Sequence, residues 1–299
     1  MASMLRLFRF QLAAAALLAG SFHFAAAQTA LPVGNAHYLI TQNDKSLGEA
    51  QYAIVAVNGG NTLTSSGHMS LKSFSYSFNS TATVDGEGNL VRDQLTGSVH
   101  GAKTSGKDIQ FNTASDPTGR SFTMDIAADG KQSTNSVDRH QNTVLTPDLD
   151  PAAYTLMTHV ALRQPPTAWV LIPKENGILV PAQYTPAADL NGTLDGRNVL
   201  VKHSIVALSD QNSLVIELFY TQSGLLLKAD LNAQNLHVAH DGFKLLNRPK
   251  PVAPPAGEPP QGDQSQPGQQ APQERGMQPG MQPGMQPGAQ PGQSGPSQP

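Results

Sequence analysis

The chain reads as a mainly β protein: a curved antiparallel sheet or half-barrel, one central helix packed on it, and a disordered C-terminal tail. Three observations predict this. Phe74, Tyr76 and Phe78 alternate with Ser73, Ser75, Ser77 and Asn79, the period of two that a half-buried strand requires. Asx-Gly pairs recur at short spacing, at Asn58-Gly59, Asp85-Gly86, Asp129-Gly130, Asn191-Gly192, Asp195-Gly196 and Asp241-Gly242, and such pairs tolerate the positive φ of tight hairpins. One stretch, Pro151 to Arg163, carries helical spacing between a start signal and a stop signal.

In chain order, a targeting segment comes first. Arg6 and Arg9 precede an apolar run from Gln11 to Gly20, and Ala25-Ala26-Ala27 supplies small residues before Gln28. That is the layout of a secretory signal. Residues 1–27 are therefore expected to be removed and the protein exported, to the periplasm or outside the cell, soluble after cleavage. The apolar run is far short of the roughly 20 residues that span a bilayer, and no later run approaches it, so no transmembrane helix is expected after cleavage.

At the other end, residues 249–299 hold 14 Pro, 12 Gln and 9 Gly, with no Leu, Ile, Phe, Tyr or Trp. Such a segment buries too little apolar surface to offset its chain entropy, so it is expected to be disordered. Gly276-Met277-Gln278-Pro279 recurs with a period of four as far as Pro291. This suits an extended spacer and matches neither a solenoid unit nor collagen.

Between them lies the body, residues 28–248. The whole chain carries a net charge of −3 and no Cys. The charge argues against a nucleic-acid reader. Without Cys there are no disulfides, thiolate metal sites, Cys nucleophiles or lipidated Cys. Strands are expected at 37–41, 51–57, 63–71, 74–79, 90–99, 109–112 and 121–126, then at 168–172, 178–184, 199–208, 214–220, 225–231 and 236–239. The helix starts on Asp150 as its cap and Pro151 at its first position. Ala153, Met157, Val160 and Ala161 recur at steps of three and four, with Tyr154, Leu156 and Leu162 widening the apolar surface. Pro165-Pro166 cannot continue it. Its expected place is against the sheet, or plugging it. A pattern G-x-L-x-[KR]-x-x-L occurs at Gly88 and again at Gly224, each after an aromatic strand. It marks either two similar hairpins or a coincidence.

The meander around Phe74-Tyr76-Phe78, the Gly-x-Leu hairpins at Gly88 and Gly224, and the helix from Pro151 resemble secreted bacterial proteins of unknown function. More distantly the layout is similar to the LolA/LolB-type lipoprotein-carrier folds, curved half-barrels with helical cover on the concave face. The resemblance is one of architecture over the body and carries no motif. It implies an apolar cavity for acyl chains or lipoproteins. A lipidated Cys being absent, it points toward the soluble carriers.

Catalytic motifs give little. The chain has no G-x-S-x-G, S-x-x-K, phosphate-binding G-x-x-x-x-G-K-[ST] or G-x-G-x-x-G. Asp85-Gly86-Glu87-Gly88-Asn89 resembles a calcium loop in composition only and reads better as a hairpin turn. His237 and His240, three residues apart on a strand, point to opposite faces and cannot share one ion. His140 beside Asp138, Asp148 and Asp150 is the best acid/base candidate, but N-terminal acids already have a capping role. No cofactor and no metal is expected.

Three functions follow. The first is a non-enzymatic exported protein holding a hydrophobic or amphiphilic ligand, a lipid or lipoprotein acyl chain, in the hollow of the sheet. It rests on strands apolar on both faces: Leu214, Ile216, Leu218 and Tyr220 on one, Val215 and Phe219 on the other. Such a sheet needs cover on both sides, or it lines a cavity. Phe74, Tyr76, Phe78, Met157, Trp169 and Phe219 are the expected ligand-lining residues. The second is a cell-envelope structural or protein-interaction module with no small-molecule ligand, favoured by a packed interior. The third, an enzyme, needs His140 to meet Asp148 or Asp150 in a cleft.

Overall fold

A computed structural model describes residues 30–247 except 102–103, 147, 174–176 and 210–213; of 104–107 it describes the backbone alone. The expected signal segment and tail lie outside the described residues.

Eight strands follow one another as an antiparallel meander: β1 Gly34–Gln42, β2 Lys45–Val57, β3 Gly60–Leu71, β4 Phe74–Asp85, β5 Leu90–Gly101, β6 Thr104–Ser115, β7 Ser121–Ala128 and β8 Lys131–Asp138. Next come β9 Thr143–Leu145, α1 Pro151–Arg163 and β10 Ala168–Ile172. A second meander follows: β11 Ile178–Leu194, β12 Arg197–Leu208, β13 Val215–Tyr220, β14 Leu226–Leu231 and β15 Leu236–His240, then β16 Phe243–Leu245. All belong to one curved open sheet in the order β8 to β1, then β15 to β9, with β16 on β11. The two meanders join where β1 pairs antiparallel with β15, Ile40 opposite Val238. β9 and β10 run parallel, as the α1 crossover between them demands.

Alternation sets which face is buried. Tyr38 and Ile40 on β1, Ala50, Tyr52 and Ile54 on β2, and Phe78 and Ala82 on β4 point inward and are buried. Their neighbours Gln51, Asn79 and Thr81 point out and are exposed.

The helix lies in the hollow of the sheet. Every residue from Pro151 to Ala161 is buried, against β2, β3, β9, β11, β13 and β14. Its ends are set as the sequence predicts. The Asp150 carboxylate accepts from Ala152 N at 2.8 Å, and Gln164, at φ 48°, closes the last turn by donating its N–H to Val160 O. Enclosure all round brings polar residues inside too. Thr155 Oγ1 donates to Pro151 O at 2.8 Å, and Thr158 Oγ1 donates to Gly224 O at 2.7 Å, which satisfies groups that burial would otherwise penalise.

Several strands differ from the sequence reading. β8 has polar residues on both faces and so no alternation to betray it, which suits an edge strand that must not recruit a neighbour. β9 and β16 are three residues each, too short for a periodic signal. Asn191-Gly192 is no turn: it lies inside β11, where β16 pairs back on it, Gly192 opposite Leu245. A Cβ at Gly192 would stand 2.8 Å from Phe243 Cε2 and 3.0 Å from Lys244 O. Here glycine serves close approach of backbones rather than a reversal.

That return of β16 also explains the doubly apolar strands. Ile216, Leu218 and Tyr220 face α1 in the main core. Val201, Phe219 and Leu227 form a separate small core on the opposite face, covered by Leu194, Phe243 and Leu245. Both faces are therefore covered, by α1 inside and by β11 and β16 outside.

Candidate functional site

Among the described residues, α1 occupies the hollow. Beside α1 the void lined by Leu63, Ala82, Asp93, Leu145, Asp150 and Leu156 measures about 10 Å³, the room of one water molecule. The expected ligand-lining residues separate accordingly. Phe78 and Met157 are buried in the main core, with Phe74 and Tyr76 packed at its margin. Tyr76 stacks on Phe78 with ring centroids 5.8 Å apart, and its hydroxyl donates to Asp148 O at 3.3 Å. Trp169 lies elsewhere, flat against His140 at 4.1 Å. Phe219 belongs to the small outer core and stacks on His203 at 4.6 Å.

The acid/base candidates separate as well. His140 is held by the Trp169 indole, while Asp150 is turned inward as the helix cap and is only 2% exposed. Arg139 sits over the Phe122 ring at 5.7 Å. The loop that mimics a calcium site is a hairpin turn whose own carboxylate organises it: Asp85 Oδ1 accepts from Glu87 N and Asn89 N at 3.0 and 2.8 Å. His237 Nδ1 bonds Asp230 Oδ1 at 2.7 Å on the outer face, whereas His240 packs edge-on to buried Tyr38. The two histidines do point to opposite faces.

Polar side chains gather instead on the outer face across β1 to β4. There the sheet dips into an open groove of about 610 Å³ along Asn35, Gln51, Thr64, Ser66, Asn79 and Thr81. A smaller hollow of about 280 Å³ shares His37, Gln51, Ser66 and Asn79 and extends toward Glu49, His68 and Ser77. The register makes the row: His37 stands opposite Gln51, Gln51 opposite Ser66, and Ser66 opposite Asn79. It continues through Thr96 to Gln110. Adjacent strands lie about 4.8 Å apart, so amide and hydroxyl groups repeat at that spacing on a rigid support. Charge enters at one end, where His37 Nε2 meets Glu49 Oε2 at 3.3 Å. Gln51 Nε2 reaches Ser66 Oγ at a long 3.4 Å, and Ser77 and Ser98 hydroxyls are 2.9 Å apart.

Sequence reasoning did not single out this row. Its signal was partly present: Gln51, Thr64, Ser66 and Asn79 fall at outward positions of strands that the sequence locates, while Thr81 lies past the expected end of its strand. What the sequence lacked was the pairing that lines them up.

No family profile and no curated protein matches the chain. Among solved structures, a beta-barrel-like protein of the domain of unknown function DUF1849 from Brucella abortus superposes with a TM-score of 0.51 at 11% identity, covering 73% of this chain and 100% of its own. A DUF1089 family protein from Pseudomonas aeruginosa gives a TM-score of 0.38 at 12% identity, over 62% of this chain and 90% of its own. The first likeness is one of fold alone and supports a barrel-like β domain. No helix among the described residues is long and apolar enough to cross a membrane.

Proposed function

We propose that this chain is an exported, non-catalytic interaction module of the cell envelope, and that its contact surface is the outer groove across β1 to β4. The observation that carries this is the occupied hollow: α1, buried from Pro151 to Ala161, lies where an acyl chain would lie, and the void beside it holds about 10 Å³, while about 610 Å³ is open outside. A drug-sized ligand needs some hundreds of Å³. The groove offers amides and hydroxyls and almost no charge, which matches an uncharged, hydroxyl-rich chain such as a glycan strand lying across the β-strands. Apolar-ligand carriage, with Phe78 and Met157 as lining, requires α1 to leave the hollow.

The test is co-sedimentation of the intact protein with purified cell-wall glycan, beside the exposed double variant Gln51→Ala, Asn79→Ala. Expected is binding by the wild type, at least tenfold weaker in the variant at unchanged unfolding midpoint. Equal binding by both, or none by either, overturns the groove. Saturable uptake of a fluorescent fatty acid by the intact protein would restore the carrier reading.

A further inference from the structure

The core contains two carboxyl groups that no basic side chain among the described residues answers. Asp93 of β5 is fully buried. Ser80 Oγ donates to its Oδ1 at 3.1 Å, and its Oδ2 has no hydrogen-bond partner and no exposure. Asp150, the cap of α1, is 2% exposed. Both border the same void of about 10 Å³, whose other walls are Leu63, Ser80, Ala82, Leu90, Leu145 and the first turns of α1. A void of that size takes one water molecule. Two carboxylates facing each other without a cation in a dry core cannot both keep their charge.

We propose that Asp93 and Asp150 share one proton through a single water in this void, and that this proton locks the N-terminus of α1 onto β4 and β5. The partners decide where it rests. Asp150 faces the N–H groups of the first helical turn, with Ala152 N at 2.8 Å, and helix N-termini favour an anion. Asp93 has one hydroxyl donor and apolar walls, so it keeps the proton. Its Oδ2–H then donates to the water, and the water donates to Asp150. This chain satisfies the unpartnered oxygen and needs no other charged group.

Burial pushes Asp93 up to about 8, with the Asp150 charge adding to it and the Ser80 hydrogen bond opposing. Burial lifts Asp150 less, to about 6, because the amides of the first helical turn hold its anion. The other titratable groups facing the pair are Asp148 before the helix, Tyr76 on β4 and Tyr154 on α1. Burial raises both tyrosines well above their ordinary value, so both stay neutral. In the unfolded chain Asp93 loses its proton near pH 4, whereas the folded chain holds it to about 8. The stabilisation is therefore complete below about pH 4 and is lost as pH rises through 8. Above that, two anions face each other beneath the first turn of α1, and this end of the helix loosens before the sheet does.

The test uses the full chain. Carbon-detected NMR of the Asp93 carboxyl is expected to show a midpoint near 8 in the wild type, moving down by a unit or more in Asp150→Asn. Hydrogen exchange at the amides of Ala153 and Tyr154 should lose at least tenfold protection between pH 7 and 9 beyond the intrinsic pH effect, while amides of β12 and β13 keep theirs. Asp93→Asn, which retains a donor, should hold α1 protection level across that range. An Asp93 midpoint near 4, a midpoint unmoved by Asp150→Asn, or an α1 no more labile at pH 9 than the sheet would overturn the lock. The wild-type titration decides the matter even if a variant fails to fold.

Discussion

Gly88 and Gly224 occupy the same position in two like hairpins, and both face α1. In the first, Asp85 N donates to Asn89 O and Gly88 N to Asp85 O; in the second, Thr221 N donates to Leu225 O and Gly224 N to Thr221 O, all at 3.0 Å. A side-chain oxygen of the leading residue caps each turn, Asp85 Oδ1 on Asn89 N and Thr221 Oγ1 on Leu225 N. A register shift precedes each turn, so that Val84 meets Leu90 and Tyr220 meets Leu226. The repeated G-x-L-x-[KR]-x-x-L pattern therefore encodes one hairpin used twice, and both copies grip the C-terminal half of the helix.

These glycines should not tolerate alanine equally. Both have positive φ, 82° and 85°, which costs an L-residue about 1–2 kcal/mol. At Gly88 a Cβ would also stand 2.9 Å from His159 Cδ2, whereas at Gly224 the nearest atom, Leu162 Cδ1, is 3.4 Å away. Overpacking adds about 1–3 kcal/mol. Urea unfolding should therefore show Gly88→Ala losing clearly more stability than Gly224→Ala; equal losses would mean that the His159 ring yields freely.

His159 should give the protein a pH response opposite in sign to that of Asp93. Burial, then the nearby Arg163 charge, push its imidazole down to about 4, against a hydrogen bond to the Glu87 backbone. Between about pH 4 and 6.5 the unfolded chain binds a proton that the folded chain refuses. Stability from this residue is thus lost as pH falls through that window. His159→Gln should remove that part of the slope below pH 6.5 and leave the curve above pH 7 parallel to the wild type. Denaturant midpoints across pH 4 to 9 measure it.

The small outer core should matter more than its size suggests. Phe219 is 1% exposed, lies nearly parallel to His203 with 4° between the rings, and has Lys228 Nζ 5.8 Å from its centre. His203 Nε2 in turn pairs with Glu217 Oε2 at 3.1 Å, which holds the Glu217 carboxyl below its usual range. Phe219→Ala should cost about 3–5 kcal/mol, the usual loss for a buried aromatic. A thermal shift of a degree or less would show that β16 is a loose flap and no cover.

Gly192→Ala addresses the same cover from the other side. The new methyl would press on Phe243 Cε2, Lys244 O and Val201 Cγ2, the last at 3.1 Å, and β16 would have to lift. Hydrogen exchange at Lys244 and Leu245 should rise sharply, with the amides of β4 and β5 unchanged. Uniform change across the sheet would contradict a local role for Gly192.

Much of the fold was legible because the signals are local. Phe74, Tyr76 and Phe78 alternate whatever lies beyond them. Asp150-Pro151 and Pro165-Pro166 bracket a helix by backbone chemistry alone. β8 escaped because residues such as Ser133, Thr134, Asn135 and Ser136 give an edge strand no apolar side to show. Asn191-Gly192 misled because a glycine that admits a neighbouring backbone and one that reverses the chain look alike in sequence. The site was less legible than the fold. Gln51, Ser66 and Asn79 become one row only through pairings between strands, and Trp169 and Phe219 look like Phe78 until the faces are assigned.

The sequence by itself determined the β class, the helix from Pro151 to Arg163 and its ends, most hairpins and the absence of thiol chemistry, since each depends on residues within a few positions of one another. The tertiary structure alone decided that the hollow is occupied, that β16 covers the second apolar face, and that Asp93 and Asp150 border one void in the core. Those outcomes turn on which distant segments share a volume. A strand with both faces apolar is equally content beside a ligand or beside a helix, so only packing can choose between them.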